Sequence, residues 1–115
     1  MVEKLKKILE KIEKEKGKVD LLALLKMDDL IDKWTIVFSA TWATIQNRDE
    51  VFNMIRNYIL TDFSPEEVNE IAKISIFSKD EHLVEELLKY KSGATFSNQP
   101  VNGNMVHVAE IIKST

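Results

Sequence analysis

Few side chains in this sequence can do acid–base or ligand chemistry. There are two histidines, His82 and His107, two arginines, Arg48 and Arg56, and no cysteine. His82 lies among Asp80, Glu81, Glu85 and Glu86. That composition reads as a solvated helical turn, because one histidine with carboxylates is a weak metal signal. His107 stands between Val106 and Val108 on an expected strand. A strand histidine is ordinarily a structural side chain; its functional reading is a general base or ligand contact near neutrality. The acidic pairs Asp28-Asp29, Glu66-Glu67, Asp80-Glu81 and Glu85-Glu86 are adjacent in sequence. Neighbours on a helix point about 100° apart, so these pairs suit caps and solvation better than a shared carboxylate site.

The densest group of ligand-type residues is "SATWATIQNRDE", residues 39–50. Ser39, Thr41 and Thr44 offer hydroxyls, Asn47 opens an expected helix, and Arg48 adds a positive charge. Free N–H groups at a helix start can hold an anion. In sheets with helical crossovers, ligands gather beyond the carboxyl ends of strands. The candidate ligand-binding set is therefore Ser39, Thr41, Asn47, Arg48 and His107. No residue is assigned a catalytic role, and neither a metal nor a cofactor is implied. Gly17, Gly93 and Gly103 are the only glycines, which excludes the familiar glycine-rich phosphate loops. The Gly-x-Ser-x-Gly elbow, the His-Glu-x-x-His pattern and the EF-hand loop are also missing.

The elements that must position these residues follow from periodicity. Val2, Leu5, Ile8, Leu9 and Ile12 give residues 2–16 an apolar helical stripe, with Lys and Glu opposite and Gly17 as the stop. Asp20 is expected to cap a second helix, "LLALLKMDDLIDK", with a break near Met27 before Asp28, Asp29 and Asp32. Trp34, Ile36, Phe38, Ala40 and Trp42 then alternate with Thr35, Val37, Ser39 and Thr41, which predicts the first strand over about 33–41. Trp34 belongs to the core on this reading. Trp42, near the strand end, is a candidate interface residue. The hydroxyl face is too polar for a core and too uncharged for open solvent, so it suits a cover or a partner.

Capping boxes are expected at Asn47/Glu50, Ser64/Glu67 and Ser78/Glu81, with Pro65 at a first helical position. Val51, Phe52, Ile55, Tyr58 and Ile59 form one expected buried stripe; Leu83, Val84, Leu87 and Leu88 form another. Val68, Ile71 and Ala72 face inward between them, and "KISIFS" is a short strand. Asn102-Gly103 predicts a terminal β-hairpin. A loop of those two residues alone places Asn98 opposite His107 and Phe96 opposite Ala109; adding Val101 to it would bring Ser97 opposite His107. Pro100 places the first hairpin strand at an edge.

The resulting fold class is α+β: a small mixed sheet of about four strands in the order α-α-β-α-α-β-α-β-β, with helices packed on it. Its 115 residues suit a single domain, and 44% hydrophobic content suits a soluble core. The chain lacks an apolar run of membrane-spanning length and a signal-like apolar segment, so a cytoplasmic location is expected and no membrane partner. Residues 1–18 carry seven Lys and four Glu, a net +3 against −6 for the remainder. The acidic body and scarcity of arginine argue against nucleic acid as a partner. The expected function is a small non-catalytic interaction or regulatory module that self-associates or binds a protein. The alternative is a small-molecule, anion-binding protein or small enzyme with its site at the mouth of the first strand.

Overall fold

The computed structural model describes residues 1–27, 33–78, 80–101 and 103–115. Helix α1 spans Val2–Lys16, and strands β1 and β2 span Leu21–Met27 and Trp34–Ser39. Helices α2, Arg48–Asp62, and α3, Pro65–Asn69, lead to β3, Ile71–Ile76. Helix α4, His82–Leu87, precedes β4, Thr95–Val101, and β5, Asn104–Ser114. Among the described residues, five strands form one mixed sheet in the order β3-β2-β1-β5-β4. Only β2 and β3 run parallel; every other neighbouring pair is antiparallel. The α+β class and the terminal hairpin hold, with five strands in place of about four.

The main correction concerns the expected second helix. Leu21–Met27 is a strand, paired with β2 on one side and β5 on the other. Leu21, Ala23 and Leu25 enter one core, while Leu22 and Leu24 enter the other. A central strand covered on both faces has no polar side, so its sequence is a continuous apolar run without alternation. Such a run has no period that separates strand from helix. Asp20 caps no helix: its backbone N–H donates to Ser39, and its buried carboxylate accepts from Thr41 Oγ1 at 3.1 Å. The expected positions Asp28, Asp29, Leu30 and Asp32 lie outside the described residues.

Two cores flank the sheet. Leu5, Ile8, Leu9 and Ile12 of α1 and Val51, Ile55 and Ile59 of α2 pack on Leu22, Leu24, Ile36, Phe38 and Ile76. On the opposite face, Leu83, Val84 and Leu87 of α4 pack with Val37, Val106, Ala109 and Ile111. Trp34 is half-buried at the margin of the first core, with the Lys26 ammonium 4.7 Å from its ring centre. The hydroxyl face of β2 is covered from within the chain, because Thr35, Val37 and Ser39 are all buried.

The local signals divide in the same way. Gly17 terminates α1 with φ 113°, a value that favours glycine, and its N–H donates to Glu13. At α3 the capping box is complete: Glu67 N–H donates to Ser64 Oγ at 3.2 Å, and Ser64 N–H to Glu67 Oε1 at 2.9 Å. That helix is shorter than expected, because Ile71 and Ala72 already belong to β3. Ser78 donates its N–H to Glu81, yet α4 begins after Glu81 and that residue makes no side-chain cap. Helix α2 buries Val51, Ile55 and Ile59, but Phe52 is 37% exposed. Residues 52, 56 and 60 are rotated by one residue, about 100°, from the buried row and reach the flank of the sheet.

The hairpin register pairs Val101 with Asn104 and Phe96 with Ala109, the register of a two-residue loop. Gly103 has φ 80°; Asn102 lies outside the described residues. Pro100 lies on the edge strand β4, as its missing N–H requires.

Candidate functional site

The residues following β2 form a compact corner. Asn47 does not cap α2. Its Oδ1 accepts from the Thr44 N–H at 2.7 Å, and its Nδ2 donates to the Trp42 carbonyl at 2.8 Å. The side chain is used up in closing the turn over residues 42–47, a local alternative to capping open to Asn. Trp42 stacks edge-on against Phe38, with ring centres 5.7 Å apart, and its indole N–H donates to the Lys18 carbonyl at 3.0 Å. Trp42 thus ties the end of α1 to the end of β2. Arg48 Nη2 lies 4.0 Å from Glu81 Oε2, and its buried Nε has no hydrogen-bond partner among the described residues.

Two clefts flank this corner. One, of about 290 Å³, is lined by Glu15, Lys16, Trp42, Asn47, Glu50 and Met54, among others. The second, of about 390 Å³, lies beyond the parallel pair β2–β3 and includes Thr41, Thr44, Ile45, Ser78 and Asp80. Thr41, Trp42 and Asn47 therefore reach the expected strand mouth together. Ser39 is fully buried on the α4 side of the sheet, with Oγ unpartnered among the described residues.

His107 does not join them. Ser39 pairs with Leu21, whereas the neighbours of His107, Val106 and Val108, pair with Met27 and Lys26. Six residues of extended strand separate these rows, about 20 Å at ~3.3 Å per residue. The antiparallel register of β1 and β5 sends His107 to the other end of the sheet. His82 pairs with Glu86 at 3.3 Å, as its acidic surroundings implied. Among the described residues, no group of three His, Asp or Glu side chains could hold a metal ion. Among them, too, no helix is long and apolar enough to cross a membrane.

A second surface was missed by the sequence reading. Strand β3 is an edge strand, and beside it runs a groove of about 360 Å³ whose lining includes Phe52, Arg56, Leu60, Val68, Ile71 and Ile74. Leu60 is 48% exposed. Phe77 N–H donates to the Phe38 carbonyl, and Ile76 pairs with Phe38. Alternation along the strand therefore turns the N–H and C=O groups of Ile74 and Ile76 away from β2. The available signal was the rotated row Phe52, Arg56 and Leu60 beside the row Val51, Ile55 and Ile59. Assigning Phe52 to the buried stripe concealed it.

Comparison with known proteins gives no match to a family model, to a curated protein or to a solved structure.

Proposed function

We propose that this chain is a non-catalytic interaction module that self-associates through the outer edge of β3 and the groove beside it. The observation that carries this reading is the conjunction of an edge strand in unbroken register over residues 73–76 with exposed Phe52 and Leu60 along its flank. An edge with outward N–H and C=O groups is a template for another strand, and adjoining apolar side chains add the hydrophobic term. The occupant is a second copy. An antiparallel pairing about a two-fold axis at Ile74 sets Ile74 opposite Ile74, Lys73 opposite Ser75 and Ala72 opposite Ile76. No like charges oppose each other along the strands, and the pairing is isologous and closed.

A cytoplasmic location is part of the same proposal, supported by the lack of cysteine. Trp42 is less suited to the contact, since its ring and N–H are already engaged within the chain. The anion-binding alternative at the strand mouth draws on the two clefts there, but Arg48 faces Glu81 and the Asn47 amide is occupied.

The test is the solution mass of the protein beside that of a Phe52→Glu, Leu60→Glu variant. A dimer that becomes a folded monomer on substitution supports the proposal. A monomer in both contradicts it.

A further inference from the structure

The α4 side of the sheet carries a separate feature. Helix α4 is six residues long and covers only part of its face. Beside it lies a cavity of about 370 Å³ over β2 and β3. This volume lies within the range of small-ligand pockets, about 300–1,000 Å³. Its polar lining includes Thr35, Lys73, Ser75, His82 and Asn104; Val37, Phe77 and Leu83 supply apolar wall. Thr35 is 1% exposed, and its Oγ1 has no hydrogen-bond partner among the described residues. A buried hydroxyl without a partner costs stability, and removing it from a well-packed site is ordinarily favourable. Keeping a threonine here, where valine would fill the same shape, points to a use for the hydroxyl.

We infer that this cavity binds a small organic monocarboxylate. Its carboxylate lies against the Lys73 ammonium and the Ser75 and Thr35 hydroxyls, and its apolar body against Val37, Phe77 and Leu83. The charge balance selects a monoanion. Lys73 has no ion-pair partner among the described residues, whereas His82 is engaged by Glu86 at 3.3 Å and the Glu81 carboxylate lies 4.0 Å from Arg48. One cation on the wall matches one negative charge, and no arginine is present to fork onto a phosphate.

The cavity borders the proposed dimer contact and shares Lys73 with it, so binding is measured on both the unmodified chain and the Phe52→Glu, Leu60→Glu variant, which separates a failure of the cavity from a failure of the dimer. The probes are hexanoate, benzoate and inorganic phosphate, followed by amide NMR shifts and thermal unfolding. The expected result is saturable shifts at Thr35, Lys73 and Ser75 with hexanoate or benzoate in both proteins, and none with phosphate. Lys73→Met should weaken this binding by about tenfold or more, a loss of about 1.4 kcal/mol or more. Thr35→Val should weaken it while raising the unfolding temperature of the ligand-free protein, which a purely structural hydroxyl contact would not do. Lack of saturable shifts with either carboxylate overturns the inference. So does binding undiminished in Lys73→Met, or a response to phosphate alone.

Discussion

The two edges of the sheet face opposite demands. Edge β4 carries Pro100 and Asn98, the latter with φ 54°, and most of its residues are exposed. Val101 and Asn104 close a two-residue hairpin, so alternation points the Pro100 nitrogen outward, where a neighbouring strand would need a donor. Asn98 breaks the extended geometry two residues earlier. Both features blunt the edge against pairing. Edge β3 has neither proline nor a positive φ, its only charged residue is Lys73, and its one register shift, between Ile71 and Lys73, is confined to its N-terminal end. It also runs beside the groove that exposes Phe52 and Leu60. A strand edge becomes a contact surface through what flanks it and through the devices it lacks.

The comparison can be broken most severely at the groove. Phe52→Glu with Leu60→Glu should cost at least ~2 kcal/mol of association, the loss typical of central interface anchors. Because both side chains are exposed, chemical denaturation of the monomer should change by no more than about 0.5 kcal/mol per site. Ile74→Pro removes an outward N–H that the β2–β3 ladder does not use. It should weaken self-association by about tenfold, and circular dichroism should show the sheet retained. A dimer as tight as the unmodified one would remove strand pairing from the account and leave only helix contacts.

A smaller effect is expected at the other edge. Pro100→Thr restores an outward donor to β4 and should produce a minor population larger than the dimer, visible by light scattering. The effect is limited because Asn98 still interrupts the strand. If Pro100→Thr is indistinguishable from the unmodified chain, Pro100 is not what protects that edge.

The smallest effect concerns the turn that leads into β3. Glu67 accepts from Lys4 Nζ and from the Ser64 N–H, and these bonds hold its carboxyl down to about 2, below the usual carboxylate range. The folded value is depressed, so the associated stability is present above pH ~4.5 and is lost as pH falls towards ~2. Lys4→Met removes the largest cause and should move the Glu67 titration back towards its ordinary value in a carboxyl NMR experiment. An unmoved titration would make the Ser64 bond dominant. Glu13 is a second instance: burial raises its pKa, but the Val19 N–H and Lys113 more than offset this and leave it lowered.

Much of the fold could be read from local chemistry. The period of α1, the Ser64/Glu67 box, the alternation of β2 and the hairpin signal before Asn104 each depend on nearby residues, and the described residues form a helix, a capped helix, a strand and a hairpin register where these were expected. Strand β1 depends on its place at the centre of the sheet, which no local pattern encodes; five consecutive residues buried between two cores look the same as a buried helix. The site was only half legible. Thr41, Trp42 and Asn47, close in sequence, meet at one corner, but their hydrogen bonds could not be assigned from the sequence. His107 was separated from them by strand register, a non-local property. The β3 edge could be recognised only once the strand order was known, because a strand becomes an edge through the absence of a neighbour.

Sedimentation velocity of the unmodified chain over a wide concentration range, with the Phe52→Glu, Leu60→Glu variant run in parallel, tests the central claim most directly. The account predicts a species of twice 13.3 kDa for the unmodified chain and a 13.3 kDa monomer for the variant. A 13.3 kDa species for both at every concentration, or a dimer that persists in the variant, would contradict it.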